Sequence, residues 1–284
     1  MSASIPLFLG VFSAITVALA NFCVKRGGDV LTTRMVMSIC VALTLAPFAF
    51  FTPLPHGLWG GVIIAVVVHW FYQFAMIKAL HRGALSLVFP VMRGGAPLLT
   101  AALAYVALNE SLSPWSIAGL VIASISIIVF AIPTAQTASA KLLDAQALVW
   151  ALLTSAGIAA YSVVDAHVAR QAPNAMTFVV WLFLFDWIGV TVVACIARRG
   201  RLWRSVRPQL KNGAIAGVLG AFSYGAAIFA FTMTDTAIVT ALRETSVVFA
   251  ALLGWAFLKE GFGRRRIAAA VSLAAGLTLI QIYQ

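Results

Sequence analysis

Ten stretches of almost continuously apolar residues, each roughly the 17 to 25 that an α-helix needs to cross the hydrocarbon core of a bilayer, divide this chain. They lie near 5–23, 35–51, 59–77, 84–107, 116–132, 147–164, 176–197, 213–231, 237–258 and 267–282. Glycine, proline and charge cluster between them. The runs are continuous rather than alternating, which reads as helix and not barrel strand, and only those two structures satisfy every backbone amide in lipid. Composition agrees: 62% of the 284 residues are hydrophobic and only 10% charged, with a mean hydropathy of +1.02. One aqueous core could not hide that much apolar side chain. The sequence predicts an all-α polytopic membrane protein of ten transmembrane helices, with loops too short to hold a soluble domain.

The first apolar run, followed by Ala18-Leu19-Ala20, has the look of a signal peptide, but Met1 to Pro6 carries no Lys or Arg, and a signal peptide needs a basic start. It is expected to be the first transmembrane helix. Cys23, Cys40 and Cys195 share no metal or redox spacing and read as packing residues. A net charge of +11 in a soluble protein would suggest nucleic acid; in a membrane protein it reflects cytoplasmic loops, and no nucleic-acid partner is expected.

Sliding the chain on itself by 150 residues reveals an internal repeat. Arg93 falls on Arg243, Ala101 on Ala251, Leu103 on Leu253, Leu108 on Leu258, Glu110 on Glu260, Ile117 on Ile267, Ala118 on Ala268 and Val121 on Val271. Chance matching in so biased a composition would give about three such identities. The chain therefore reads as two five-helix halves, 1–134 and 135–284. Five is odd, so the second copy enters the membrane from the opposite side, the 5+5 inverted-topology repeat that secondary transporters use for alternating access.

Sixteen of the nineteen Lys and Arg residues fall in the loops after odd-numbered helices, from Lys25 and Arg26 to the basic run Arg198–Lys211 and Arg264 to Arg266. Lys78, Lys141 and Lys259 belong to the same set, and the other face carries only Arg170. By the positive-inside rule this places those loops in the cytoplasm and both termini outside.

The stretch LNESLSPWSIAGLVIASISI, echoed by LKEGFGRRRIAAAVSLAAGL, joins this architecture to a family. With ANFCVKRGGD around Asn21 and SLVFPVMRGGAPLL around Pro90, Arg93 and Pro97, the chain resembles the EamA branch of the drug/metabolite transporter superfamily over nearly its whole length. The family's Glu-containing turn after the fourth helix of each half matches Glu110 and Glu260, and its Gly- or Ala-rich fifth helix matches Gly119 and Gly276. The resemblance implies export of amino acids, other small metabolites or toxic compounds, with relatives that exchange sugar phosphates and nucleotide sugars.

Ionisable groups far from helix ends are costly in lipid and are default functional candidates. Arg93 and Arg243 are repeat-related, Asp186 lies between WLFLF and WIGV, and Glu244 adjoins Arg243. Two readings stand: ion pairs that fix helix packing, or arginines whose planar forks hold a carboxylate or phosphate beside an acid that takes a substrate ammonium or a proton. Asp186, the acid most deeply set in apolar sequence, is the candidate for proton coupling. His69 and Gln73 share a helix face, as a buried hydrogen-bonded pair or as cavity ligands. Tyr161 and Asp165 repeat that spacing at the expected end of helix 6, where Asp165 reads either as a cap or as a gate. Trp70, Trp181 and Tyr224 sit near polar groups inside their helices and offer stacking or cation–π surface. Tyr72, Tyr105, Trp187 and Trp255 read as belt or packing aromatics. Pro90 and Pro97 would loosen helix 4 around Arg93. The glycines 213, 217, 220 and 225 would let helix 8 approach a neighbour.

No HExxH, GxSxG or acidic metal cluster occurs, which argues against a membrane enzyme, and no P-loop argues for ATP-driven pumping. No cofactor or metal is expected. The leading expectation is a secondary transporter, most plainly an exporter of amino acids or related organic anions, in a bacterial inner membrane, as monomer or homodimer. The alternatives are a phosphate- or phosphonate-type organic anion exchanger and a lipid-carrier flippase of the same fold.

Overall fold

The computed structural model describes residues 4–82, 91–131, 145–249, 252–253 and 264–283. Among the described residues there is helix and no strand. The principal helices are α1 (Ser4–Arg26), α2 (Val30–Leu45), α3 (Trp59–Arg82), α4 (Ala96–Leu108), α5 (Pro114–Ala131), α6 (Ala145–Gln171), α7 (Ala175–Arg198), α8 (Leu210–Phe231), α9 (Thr236–Glu244) and α10 (Arg264–Ile282). Seven helical spans among the described residues are long and apolar enough to cross a membrane, and Pro114–Val129 and Ile267–Ile280 are shorter apolar helices. Large apolar side chains on the outer faces, among them Phe8, Leu43, Val106, Ile125, Phe222 and Val271, are exposed, as a lipid solvent requires. The chain is an all-α, multi-pass membrane protein.

Capping chemistry moves two boundaries from where hydropathy put them. Asp29 accepts hydrogen bonds from the Thr32 amide at 3.2 Å and the Thr32 hydroxyl at 2.6 Å, so α2 starts at Val30 rather than near 35. Arg34, counted above with the loop, therefore lies inside α2 and donates to Asn21 Oδ1 at 3.0 Å. Likewise α6 continues past the expected 164 to Gln171, and Asn174 caps the start of α7 by accepting from the Thr177 amide at 2.8 Å. The continuous helix expected over 237–258 breaks: α9 ends at Glu244, where Thr245 turns its hydroxyl onto the Leu242 carbonyl at 2.6 Å, and helix resumes at 246–249. Pro90, Lys141, Trp255, Lys259 and Glu260 lie outside the described residues.

The chain folds into two compact units, each drawing on both halves of the sequence. Unit 1 comprises Met1–Trp70 and Val164–Met233; unit 2 comprises Phe71–Val163 and Thr234–Gln284. In unit 1, α8 packs along α1 and α2, and α2 along α7. Ala20, Val24 and Ala216 are buried at the α1–α8 contact. A Cβ on Gly217 would stand 2.5 Å from Cys40 Cβ, so only glycine lets α8 approach α2 this closely. Gly213 and Gly220 also face α2, while nothing stands near Gly225. Cys195, read as a packing residue, is exposed.

In unit 2, α5 packs against α10 and α9 against α4. At the α5–α10 crossing a Cβ on Gly119 would lie 2.6 Å from the Gly276 carbonyl oxygen, and one on Gly276 2.7 Å from that of Gly119. Ala123, Ile127, Val247, Ala269 and Leu273 form the adjoining core. Several hydroxyls within the spans are satisfied locally: Thr16, Thr44, Thr100 and Thr154 each donate to the carbonyl four residues back at 2.7 to 2.8 Å, whereas those of Ser124, Ser155 and Ser162 have no hydrogen-bond partner among the described residues. That leaves few polar groups for lipid to penalise, and those without such a local solution stand out.

Candidate functional site

In unit 1, four helices bring polar side chains to one buried cluster. α3 supplies His69, α6 Asp165, α7 Asp186 and α8 Tyr224. Their exposures are 4%, 0%, 4% and 9%. His69 Nε2 lies 2.9 Å from Asp165 Oδ2 and 3.0 Å from the Tyr224 hydroxyl. That hydroxyl also donates to Asp165 Oδ2, closing a triangle. On the other side of the ring, Nδ1 faces Asp186 Oδ1 at 3.9 Å, an electrostatic contact longer than a hydrogen bond. Asp165 Oδ1 has no hydrogen-bond partner among the described residues.

Aromatic packing holds this cluster in place. The Tyr224 ring meets the Phe183 ring edge to face at 5.1 Å and the His69 ring at 5.4 Å. Trp70, next to His69, lies where a Cβ on Gly189 would fall, 2.5 Å from its ring. Its indole donates to the Asp186 backbone carbonyl at 2.9 Å. The glycine thus lets α3 dock onto α7, and the indole pins the turn that carries Asp186.

In unit 2 a second buried cluster surrounds Arg93. Its Nη1 donates to Glu244 Oε1 at 3.1 Å and Oε2 at 3.4 Å. Glu244 is 1% exposed and Arg243 7%. Tyr161 is buried within electrostatic reach of both arginines, and its ring meets Tyr72 edge to face at 5.1 Å. Such a group of cations, an acid and phenols offers charge-assisted hydrogen bonds to an anionic or zwitterionic group.

α9, which carries Arg243 and Glu244, is anchored at its start. Glu110, just after α4, accepts from the Thr236 amide at 2.8 Å and the Thr236 hydroxyl at 2.7 Å. A carboxylate from outside the helix thereby satisfies an orphan N–H at the positive end of its dipole. The Glu-containing turn singled out in the sequence has, in this copy, the task of setting α9.

The structure thus gathers His69, Trp70, Asp186 and Tyr224 in unit 1, and Arg93, Arg243, Glu244 and Tyr161 in unit 2. Gln73 is buried one turn beyond His69 on α3, within unit 2. Trp181 is placed elsewhere: its indole donates to the Pro53 carbonyl at 3.1 Å and its ring meets Trp59 at 5.5 Å. Asp165, read from the sequence as a cap or a gate and not as a binding residue, joins the His69 cluster. Its capping reading is corrected, because α6 runs six residues beyond it and no water reaches its side chain.

The class this defines is a polytopic all-α membrane protein with ionisable clusters sealed inside apolar helices, where lipid makes such groups default functional candidates. Residues 145–282 match the EamA-like transporter family, which belongs to the drug/metabolite transporter superfamily. One solved structure, described only as the crystal structure of a protein, superposes with a TM-score of 0.78 over 99% of this chain and 98% of its own at 16% identity, which shows a shared fold. No curated protein sequence matches the chain.

Proposed function

We propose that this protein is a secondary transporter that exports small polar metabolites, with amino acids or related organic anions as the substrate class, across a bacterial inner membrane. The observation that carries the reading is the buried Arg93–Glu244 pair with Arg243 beside it. A buried ion pair is weak in stability terms, so its presence in lipid asks for a use. Arg93 and Arg243 would hold the substrate carboxylate, Glu244 its ammonium, and Tyr161 a further oxygen. The repeat halves 1–134 and 135–284, as ten helices in 5+5 inverted topology, would alternate access. His69, Trp70, Gln73, Tyr224 and Trp181 complete the set of binding candidates, and Asp186 would couple transport to the proton gradient.

The test is a thermal-shift screen of the purified chain against amino acids, organic acids and phosphonates, followed by uptake into proteoliposomes. A bound ligand raises the melting temperature by mass action. An amino acid or organic acid should stabilise the wild type but not Arg93→Lys or Arg243→Lys. Stabilisation by phosphonates alone would make the protein an organic phosphate exchanger, which the part-buried Arg93 and buried Arg243 also suit. Wild-type uptake by both folded Lys variants would return the arginines to packing.

A further inference from the structure

Asp165 is the buried titratable group that the proposed mechanism leaves unused. A carboxylate placed only for packing is expected to have both oxygens satisfied. Here Oδ2 receives the Tyr224 hydroxyl and His69 Nε2, while Oδ1 has no donor among the described residues. The imidazole stands between two carboxylates, Asp165 against Nε2 and Asp186 against Nδ1. A fully deprotonated cluster would set a nitrogen lone pair against one of those anions. The helices packed along α8 carry no charge over these stretches: α1 has none between Ser4 and Val24, and α2 none between Met35 and Leu45. Cys40 lies with its Cβ against Gly217, about two turns from Tyr224. His167, Arg170 and Arg198 are outside the cluster, with His167 and Arg170 exposed and Arg198 on Asp29. A proton held among the cluster's members, as coupled sites share one, would remove that clash.

We propose that Asp186, His69 and Asp165, closed by the Tyr224 hydroxyl, form a proton relay, and that Asp165 rather than Asp186 alone is its receiving end. The step balances within the three side chains. His69 Nδ1 takes the proton of the Asp186 carboxyl group as Nε2 gives its own to Asp165. The ring keeps one proton, and one proton passes from α7 to α6. As the structure stands, the relay is closed between Nε2 and Asp165 at 2.9 Å and open between Nδ1 and Asp186 at 3.9 Å. Closing it takes a movement of about 1 Å to reach hydrogen-bond distance. Tyr224 is a positioning residue, since its hydroxyl fixes both Nε2 and Oδ2.

This inference deepens the transporter reading and rests on it for its use, but its test needs no substrate. The full chain is reconstituted in lipid nanodiscs, and infrared difference spectra are recorded between acidic and alkaline pH. The wild type should show a protonated-carboxyl band that disappears on raising pH. Asp165→Asn should remove it, and Asp186→Asn should leave it but change its pH dependence. Tyr224→Phe, which keeps the ring packing, should retain the band at a shifted frequency because the hydroxyl no longer donates to it. Melting curves confirm that each variant is folded. The relay is overturned if the carboxyl region is unchanged in Asp165→Asn and Tyr224→Phe, or if the band follows Glu244→Gln instead. Loss of the band on adding sodium at constant pH would also overturn it, as a metal-cation site. Failure here with a positive ligand screen leaves the transporter reading standing, whereas an intact relay in a protein that binds none of the screened solutes tells against the substrate class alone.

Discussion

Glu244 accepts its side-chain hydrogen bonds not from Arg243, its neighbour in sequence, but from Arg93, 151 residues away, at 3.1 and 3.4 Å. Neighbours on a helix point about 100° apart. Arg243 and Glu244 accordingly leave α9 in different directions, and the acid meets the arginine of the other sequence half. The pair answers part of the charge problem of unit 2 and raises the question of whether it serves packing alone.

A double-variant experiment separates the two roles. Glu244→Gln should destabilise strongly, by about 3–5 kcal/mol, because it leaves the Arg93 charge buried without its counter-ion. Replacing both residues by Met should be close to neutral in melting temperature yet abolish uptake into proteoliposomes. A double variant that melts normally and transports at the wild-type rate would assign the pair to packing.

Asp186→Asn should abolish uphill transport driven by a proton gradient while leaving substrate exchange measurable. The amide keeps the shape of the side chain and loses the proton. Counterflow and gradient-driven uptake in the same vesicles distinguish these outcomes. A variant that still concentrates substrate would make Asp186 structural.

Glu110→Ala should loosen the start of α9. The Thr236 amide and hydroxyl both lose their acceptor, a loss of about 1–2 kcal/mol by analogy with helix caps. Thermal melts should show it, with Glu110→Gln intermediate because an amide oxygen can still accept. Since α9 carries Arg243 and Glu244, substrate affinity should fall along with stability.

Acid sensitivity should centre on Asp29. Burial pushes its carboxyl group up, but hydrogen bonds from the Thr32 hydroxyl and amide and from Arg198, with the Arg198 charge, hold it below the usual carboxylate range. A group whose folded value is lowered contributes stability above its unfolded value and loses it as pH falls through the folded one. Melting temperature should therefore decline below about pH 4, and Asp29→Asn should lie below the wild type at neutral pH while showing a flatter acid limb. The Arg198 contact is part-exposed at 2.6 Å, so high salt should shrink the difference.

Orientation is checked by fusion of a fluorescent protein to the C-terminus. The basic run from Arg198 to Lys211 should face the cytoplasm and leave the C-terminus outside, where green fluorescent protein does not mature. Bright fluorescence would invert the assignment.

Hydropathy alone determined the solvent and the spans. α1, α3, α5, α7, α8 and α10 each begin within about three residues of the apolar runs that announced them, because lipid penalises every polar break in a spanning helix. Which ionisable residues needed an explanation was legible for the same reason. Pairing was not. The partners of Asp165 lie 96 residues away at His69 and 59 away at Tyr224, and nothing local distinguishes such an aspartate from a cap once the helix end is misplaced by a few residues. Trp181 and Trp70 look alike in sequence, yet one reaches the Pro53 carbonyl and the other the turn of Asp186. Helix contacts between distant segments, set by glycines such as Gly189 and Gly217 that let backbones close in, decided which charges would meet, because desolvation and hydrogen bonding depend on distance in space and not along the chain.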